Sequence, residues 1–335
     1  MLRAIDRDRY RVIPVGVTRG GAFVLEDDEP DKFALDPDDL PTVVDNGTRV
    51  LWPEASGDRR MRVRTADGEI RDLGVVDVVL PILHGSHGED GTIQGFFDTL
   101  ELPYAGGGVI DSALCMDKHF MKVALHAAGV PVSPGITLRR REWDGDAEPI
   151  RAALGDDSLP WFVKPARAGS SVGVSKVHTL DELDEAMRVA FAEDDKVLVE
   201  RGVAGREVEV GVLEGRAGGP DRASLPGEIV LTTREFYDFE GKYLGGDGVD
   251  VVCPADMTDA QIDAVQTMAL RAFAAVDGRG LARVDFFLTD DGPVVNELNT
   301  MPGFTPISMF PKCWIASGMT YPELISELID TALAR

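Results

Sequence analysis

Cysteine is scarce in this sequence. Cys115, Cys253 and Cys313 are the three cysteines among 335 residues. The number is odd and no two of them have the C-x-x-C spacing, so the sequence suggests neither a disulfide framework nor a zinc site. We therefore expect three buried free thiols.

Long apolar runs are absent as well. No stretch approaches the roughly 20 apolar residues that are needed to span a bilayer. The opening residues, MLRAIDRDRYRVIPV, contain no uninterrupted apolar segment like that of a signal peptide. The sequence therefore predicts a cytoplasmic protein with no membrane partner.

Basic residues are far fewer than acidic ones. The 34 Lys and Arg residues face 58 Asp and Glu residues, which gives a formal net charge of -24. Proteins that bind the nucleic acid backbone need clustered Lys and Arg. The balance of charge argues against a nucleic acid partner and is compatible with small substrates that carry their own counterions.

Apolar residues, by contrast, make up 44% of the chain, enough to bury a large core in two or three domains. Their spacing alternates between that of strands and that of helices, which predicts an α/β and α+β fold in several lobes. Strands are predicted at 75–83, 161–165, 196–200 and 207–213 and in a hairpin around 289–292. Helices are predicted at 111–128, after Thr179, at 261–275 and at 320–334.

A loop rich in glycine and serine, KPARAGSSVGVS at 164–175, follows one of these strands. Glycines let the backbone approach an anion closely, and successive N–H groups in such a turn form a donor array for phosphate oxygens. Lys164, at the end of the strand, favours phosphate binding. The loop lacks the G-K-[ST] of a Walker sequence, and a flexible surface loop is the alternative.

Polar side chains interrupt both strands of the predicted hairpin. Because side chains alternate along a strand, Arg283 and Asp285 share one face, and so do Glu297 and Asn299. If the two faces coincide, two carboxylates and an amide oxygen converge, which suits Mg²⁺ held together with substrate phosphates. The alternative is a salt bridge between the arginine and a carboxylate, with no metal.

The segment LHGSHGEDGTIQG at 83–95 follows the most apolar strand of the first domain. Its histidines lie three residues apart, close to Glu89 and Asp90, but neither helical nor tetrahedral spacing supports a zinc site. We interpret it as a glycine-rich strand-to-helix loop, where the binding residues of open sheets tend to lie. A further segment, FYDFEGKYLGGDGVDVVCPA at 236–255, has the composition of a mobile lid or of an ordinary surface excursion.

Taken in order, HGxxGEDGxxQG, MDK, VKP, GSSVG, FYDFExKY, RVD and ExNTxPG resemble the motifs of the D-alanine–D-alanine ligases, members of the ATP-grasp superfamily. The resemblance covers the chain from Val76 onward. It implies ATP-dependent joining of two D-alanine molecules for peptidoglycan synthesis. The implied lobes are an N-terminal open-sheet domain at 1–106, a central lobe at 107–200 and a C-terminal lobe at 201–335 with a lid near 232–254, and ATP is expected between the last two.

The resemblance also implies the site residues. ATP is expected to contact Lys118, Lys164, Ser170, Ser171, Glu200, Arg201, Val203, Glu207, Phe236 and Lys242. Two Mg²⁺ ions, or Mn²⁺ in their place, are expected at Asp285, Glu297 and Asn299. The D-alanine substrates are expected at His84, Glu89, Tyr243, Arg283, Gly303 and Ser308. The expected catalytic residues are Ser170, Lys242, Tyr243, Arg283 and Gly303.

The implied reaction converts the carboxylate of the first D-alanine into an acyl phosphate, which the amine of the second D-alanine attacks. Lysines and Mg²⁺ neutralise the charge of the transferring phosphoryl group. Arg283 and the Gly303 N–H stabilise the oxyanion. Tyr243 is typical of relatives that use an amine acceptor rather than D-lactate, and a homodimer is the family expectation.

The start of the chain departs from the family pattern. Family members begin with a strand, a glycine-rich loop and a Ser-x-Glu segment whose glutamate binds the ammonium of the first D-alanine, and no residue here matches that glutamate. We therefore expect an open sheet that lacks its first strand, and a chain that binds ATP but ligates D-alanine poorly. Another ATP-grasp carboxylate–amine ligase and an ATP-binding remnant are the alternatives.

Overall fold

The computed structural model describes residues 1–33, 41–154, 160–169, 171–231, 249–305 and 307–335. These residues form a mixed α/β structure with several sheets. The helices in this part of the chain are α1 (Thr92–Thr99), α2 (Val109–Met116), α3 (Lys118–Ala127), α4 (Arg140–Gly145), α5 (Glu148–Leu154), α6 (Leu183–Glu193), α7 (Asp259–Ala275), α8 (Met309–Ala316) and α9 (Tyr321–Leu333). The strands are β1 (Val15–Val17), β2 (Phe23–Leu25), β3 (Arg49–Leu51), β4 (Arg60–Arg64), β5 (Ile70–Val75), β6 (Gly135–Arg139), β7 (Trp161–Pro165), β8 (Ser175–Val177), β9 (Lys196–Arg201), β10 (Arg206–Leu213), β11 (Arg222–Ala223), β12 (Gly227–Leu231), β13 (Val249–Val252), β14 (Leu281–Thr289) and β15 (Gly292–Asn299).

Two small antiparallel sheets lie in the N-terminal part, one of β1 and β2 and one of β3, β4 and β5. An aromatic cluster packs beside them, in which the ring centroids of Trp52 and Phe96 are 5.3 Å apart and those of Phe97 and Tyr104 are 5.5 Å apart. The three lobe boundaries and the missing first strand of an open sheet stay predictions.

The strand expected at 75–83 was predicted wrongly in its extent. β5 ends at Val75, and the segment beyond it forms a single parallel bridge between Val79 and Tyr104. The Val79 N–H donates to the Pro103 carbonyl (2.8 Å), and the Ala105 N–H donates to the Val79 carbonyl (2.9 Å). An apolar run becomes a strand through a ladder of such bonds. Beyond Val75, the described part of the run has no strand pairing other than this bridge, although the Val76 N–H donates to the Arg59 carbonyl (2.9 Å).

A four-stranded antiparallel sheet with the order β6-β9-β7-β8, which we call the central sheet, comes from the middle of the chain. α6 covers one face, where Met187 and Phe191 pack with Val163 and Val199. The strands predicted at 161–165 and 196–200 are confirmed. Side chains alternate along a strand, so the neighbours of these valines, Lys164 in β7 and Glu200 in β9, point to the face away from α6.

A larger sheet with the order β13-β12-β10-β14-β15 follows, and β11 pairs with the end of β10. β10 and β14 are largely apolar because helices cover both faces, α2, α3 and α7 on one and α8 and α9 on the other. The predicted hairpin around 289–292 joins β14 to β15 and is confirmed. The Val295 N–H of the edge strand β15 donates to the Pro131 carbonyl (2.8 Å), which links this sheet to the segment after α3.

The single helix predicted at 111–128 is wrong, because the structure divides it into α2 and α3. Asp117 has an extended backbone, and its side chain accepts from the N–H groups of His119 and Phe120 as the N-cap of α3. Its carboxylate also pairs with the buried ammonium of Lys196. The helical spacing of apolar residues continues on both sides of Asp117, so the sequence pattern does not indicate the break.

The remaining helices agree with the sequence. The helix predicted at 261–275 is α7, and that predicted at 320–334 is α9. The segment after Thr179 begins with a 3₁₀ turn before α6. No helix among the described residues is both long enough and apolar enough to cross a membrane.

Candidate active site

The β14–β15 hairpin brings the predicted acidic residues together. Asp285 pairs directly with Glu297, and Arg283 pairs with Asn299. Directly opposed residues of an antiparallel pair share a face, so all four side chains lie on one face, as predicted. The Asn299 side-chain amide donates to Asp285 Oδ2 (3.0 Å).

A β-bulge sets this arrangement. The register shifts between Asp285 and Phe286, which pair with Glu297 and Val295, so Asn296 is the extra residue on β15. Val295 packs in the core, whereas Glu297 lies on the opposite face. The Asn296 Oδ1 is 3.4 Å from the Lys164 ammonium. The bulge therefore joins β15 to the central sheet, and the sequence contained no signal for it that we recognised.

Arg283 is partly buried and is held on two sides. Its guanidinium donates two hydrogen bonds of 2.7 Å to Asp285, and its Nε lies 2.9 Å from Glu209 Oε2. Burial acts to lower the pKa of Arg283, but Asp285 and Glu209 outweigh it and raise the pKa well above its usual value. The salt bridge that the sequence left open as an alternative is therefore part of the structure.

Lysines from α3 and from the central sheet lie opposite the acidic face of the β14–β15 hairpin. Lys118 is the first residue of α3, and its ammonium donates to the Ala168 carbonyl (2.7 Å) and lies 3.7 Å from Glu297 Oε2. Lys164 pairs with Glu200 at 2.5 Å. The predicted phosphate lysines thus lie between the central sheet and β15.

Lys122 is a member of this cluster that sequence reasoning missed. It lies one helical turn after Lys118, and its ammonium is 2.8 Å from Glu200 Oε1. The Glu200 carboxylate is therefore shared by Lys122 and Lys164. The signal that could have found Lys122 is its spacing of four residues from Lys118, which places both on one side of a helix.

Burial and charge shift the pKa values of this network in opposite senses. Burial raises the pKa of Glu200, but Lys164 and Lys122 outweigh burial, so its pKa is lower than usual. Burial lowers the pKa of Lys122 to about 8, although Glu200 acts against that change. Both shifts follow from placing charged groups in a site almost without solvent.

Three further predicted ATP residues among those described follow Glu200 along the chain. Arg201, at the end of β9, is exposed, and Val203 and Glu207 are half-buried in the connection to β10 and in β10 itself. Ser171 has a φ of 60°, a backbone conformation that is uncommon for residues other than glycine. Ser170, Phe236, Lys242 and Tyr243 lie outside the described residues.

The predicted substrate residues lie on two loops that meet. His84 Nδ1 is 3.2 Å from the Met301 carbonyl, and Glu89 accepts from the Gly85 N–H and so closes the loop before α1. Gly303 and Ser308 lie in the connection between β15 and α8. A Cβ on Gly303 would lie 2.9 Å from Ser308 Oγ, so a larger residue at this position would displace the Ser308 hydroxyl.

The donor set suits Mg²⁺. Asp285 and Glu297 offer carboxylate oxygens on adjacent strands, and Asn299 adds an amide oxygen. No group of three or more His, Cys, Asp or Glu side chains within the described ranges is arranged to hold a metal ion. Two carboxylates are nevertheless the set that commonly holds Mg²⁺ when substrate phosphates complete its shell, so the residues present fit this ion.

The fold and the site define a class: a mixed α/β protein in which lysines of the central sheet and of α3 face carboxylates of a second antiparallel sheet. Comparison with known proteins identifies the family. A model of the D-ala D-ala ligase N-terminus matches residues 1–107, and one of the D-ala D-ala ligase C-terminus matches residues 124–330. The chain belongs to the D-alanine–D-alanine ligase family, and the resemblance found in the sequence is confirmed.

Individual relatives support this assignment over the whole chain. The D-alanine–D-alanine ligase of Arthrobacter sp. (strain FB24) is 48% identical over 338 residues, which cover 100% of this chain and 88% of that protein. Among solved structures, the D-alanine-D-alanine ligase from Coxiella burnetii matches with a TM-score of 0.81 and 35% identity, covering 99% of this chain and 87% of that one. The VanG D-Ala:D-Ser ligase from Enterococcus faecalis matches with a TM-score of 0.82 and 31% identity, covering 98% and 92%.

Proposed function

We propose that this chain joins two D-alanine molecules into D-alanyl-D-alanine, with ATP converted to ADP and phosphate, for the synthesis of peptidoglycan precursors. The observation that carries the proposal is the position of Lys118 and Lys164 opposite the paired Asp285 and Glu297. An ATP-dependent ligase needs cations for the phosphates and carboxylates for the accompanying metal at one place. The family assignment gives the substrate class.

ATP is proposed to lie between the central sheet and β15. Lys118 and Lys164 contact its phosphates, with Ser171 and Ser170 in the adjacent loop. Asp285, Glu297 and Asn299 hold two Mg²⁺ ions, or Mn²⁺, which neutralise negative charge on the phosphates when bound. The adenosine is proposed to contact Glu200, Arg201, Val203 and Glu207, with Phe236 and Lys242 contributed by the lid.

The chemistry requires an activated carboxylate, because a free carboxylate is a poor electrophile. Transfer of the γ-phosphoryl group to the first D-alanine gives an acyl phosphate, and the amine of the second D-alanine displaces phosphate from it. Arg283 has N–H groups on Nη1 besides those that bond Asp285 through Nε and Nη2, and with the Gly303 N–H it is proposed to stabilise the oxyanion. Asp285 and Glu209 fix the plane of the guanidinium.

The substrates are proposed to lie where the two loops meet. Ser308, whose hydroxyl is 2.8 Å from Thr305 Oγ1, is proposed to help hold the carboxylate of the second D-alanine. His84 and Glu89 support the loop near the first D-alanine. Tyr243 is proposed to select an amine acceptor, and we further propose that the protein acts in the cytoplasm as a homodimer.

The test is substitution of Glu297 by Gln, with phosphate release and dipeptide formation measured over a range of Mg²⁺ concentrations. Loss of one carboxylate from the proposed metal site should lower kcat/KM at least 100-fold, about 3 kcal/mol. It should also weaken Mg²⁺-dependent binding of a non-hydrolysable ATP analogue, which is measured independently of turnover.

Glu228→Gln is the matched control, since Glu228 lies on β12 of the same sheet and pairs with Arg206 at 2.6 Å. It should retain turnover and analogue binding. If the Glu297→Gln protein turns over at the wild-type rate and needs no more Mg²⁺ than the wild type, the metal assignment is contradicted. Release of phosphate with D-serine or D-lactate but not D-alanine as second substrate would contradict the proposed acceptor.

A further inference from the structure

Two of the three cysteines meet in space. Cys253 directly follows β13, the edge strand of the large sheet, and Cys313 lies in the middle of α8. Their Sγ atoms are 3.8 Å apart, although 60 residues separate them in the sequence. Cys115 belongs to a different core cluster, on the face of the sheet that α2, α3 and α7 cover.

The environments of the two thiols differ. Cys313 is fully buried beside Ile229 and Met309. Cys253 is half-buried, and its neighbour Val252 is exposed to 39%. A small oxidant therefore reaches Cys253 first, while Cys313 remains within contact distance of it.

The pKa values of the two thiols also differ, and this difference again makes Cys253 the more reactive of the two. The hydrogen bond with Cys313 lowers the pKa of Cys253, and the positive charge of Lys312 adds to this effect, although partial burial opposes it. The same hydrogen bond, together with burial, raises the pKa of Cys313 well above its usual value. The thiolate is the reactive form of cysteine. Cys253 therefore has the properties of an attacking thiol, and Cys313 those of a resolving one.

We propose that Cys253 and Cys313 form an oxidant-reactive dithiol, which a hydroperoxide converts into an intramolecular disulfide. The Cys253 thiolate attacks the peroxide oxygen, the O–O bond breaks, and a proton completes the departing water or alcohol, leaving a sulfenic acid. The Cys313 sulfur then attacks the Cys253 sulfur, and the sulfenic hydroxyl leaves as water with the Cys313 proton. Two thiols are oxidised and one peroxide is reduced.

The disulfide ties the edge strand β13 to α8. It closes a loop that contains α7, β14 and β15, and therefore Asp285 and Glu297. The proposal concerns the thiols alone and does not depend on the proposed function, since no residue assigned to ATP or metal takes part in the thiol chemistry.

The experiment treats the wild-type chain with a modest excess of hydrogen peroxide, alkylates the remaining thiols after denaturation and maps the products by mass spectrometry. We expect the three alkylatable thiols to fall to one, Cys115, with a cross-link between the peptides that carry Cys253 and Cys313. Dithiothreitol should restore all three. Retention of three free thiols, a cross-link that involves Cys115, or a disulfide between two chains would overturn the proposal.

Single substitutions assign the order of events. Cys313→Ala should leave a sulfenic acid on Cys253 that dimedone traps, and Cys253→Ala should give neither this adduct nor a cross-link. Cys115→Ala is the matched control and should form the cross-link like the wild type. Trapping of dimedone on Cys313 in Cys253→Ala at the wild-type rate would overturn the assignment of Cys253 as the attacking thiol. The peptide map of the wild-type protein tests the proposal even if a substituted chain folds poorly.

Discussion

Lys122 shows how much a single side chain can contribute to the candidate site although it belongs to none of the sequence motifs. Its ammonium is among the most buried charges of the described residues, and it shares the Glu200 carboxylate with Lys164. A buried carboxylate held from both sides has one orientation. We therefore expect Lys122 to act as a positioning residue for Glu200, and through it for Lys164.

Substitution of Lys122 by Met should separate this role from a purely structural one. Removing one partner of a buried ion pair should lower the free energy of unfolding by about 1–3 kcal/mol, below the usual cost because Lys164 still pairs with Glu200. The KM for ATP should rise about tenfold with a smaller change in kcat, equivalent to ~1.4 kcal/mol of binding. Urea unfolding and steady-state kinetics measure the two effects.

Lys312→Met, the same change on α8, is the control and should alter neither KM nor kcat. Lys122→Arg keeps the charge and should recover part of the ATP affinity. A Lys122→Met protein that is destabilised but has the wild-type KM for ATP would show that Lys122 only supports the fold.

At the scale of elements, the break between α2 and α3 decides where Lys118 lies. Lys118 is the residue after the Asp117 N-cap, so the cap fixes the direction in which α3 begins. The Lys118 N–H also donates to the Ala166 carbonyl (3.0 Å), which ties the start of α3 to the end of β7. A continuous helix over 111–128 would give Lys118 no such anchor.

Asp117→Ala and Asp117→Ser distinguish the cap from the ion pair with Lys196. Both changes remove the negative partner of a buried lysine, which should cost about 3 kcal/mol of stability. Serine still accepts as an N-cap and alanine does not, so the alanine protein should be less stable by about another 1 kcal/mol. Chemical unfolding measures both. Equal stability of the two variants would mean that the cap contributes little.

At the scale of the whole molecule, Asp111 connects distant parts of the chain. Its carboxylate accepts from the Arg279 N–H (3.0 Å) in the turn before β14, 168 residues further on, and from the Ser112 N–H (3.0 Å). Burial raises the pKa of Asp111 from its usual 3.8 to about 6, and the backbone hydrogen bonds offset only part of that rise.

The stability of the chain should therefore depend on pH in a defined window. Because the folded state holds this proton more tightly than the unfolded state, the contribution is present below pH ~4 and is lost as the pH rises through about 6. A pKa difference of this size between the folded and unfolded states corresponds to roughly 1–3 kcal/mol in the free energy of unfolding. Asp111→Asn should lack this decline, as measured by urea unfolding between pH 4 and pH 7.

Asp263→Asn, the same change at an exposed position of α7, is the matched control and should follow the wild-type pH profile. If the Asp111→Asn profile also coincides with that of the wild type, the carboxyl of Asp111 is not the group that titrates in this window.

The sequence by itself determined the family, the motif residues, two strands of the central sheet (β7 and β9) and three strands of the large sheet (β10, β14 and β15). Alternation along each strand was enough to place Arg283 with Asp285 and Glu297 with Asn299, because the period of a strand is a local property of the backbone. The register between β14 and β15 decided that the two faces coincide. The same reasoning failed at 75–83, where an apolar run becomes a strand only if another segment supplies the ladder.

The tertiary structure alone decided which side chains meet. The bulge at Asn296, the sharing of Glu200 by Lys122 and Lys164, the pairing of Asp117 with Lys196 and the contact between Cys253 and Cys313 all join segments that are far apart in the chain. Local periodicity fixes the face on which a residue lies. Its partner depends on how sheets and helices pack, and that is set by burial over the whole molecule.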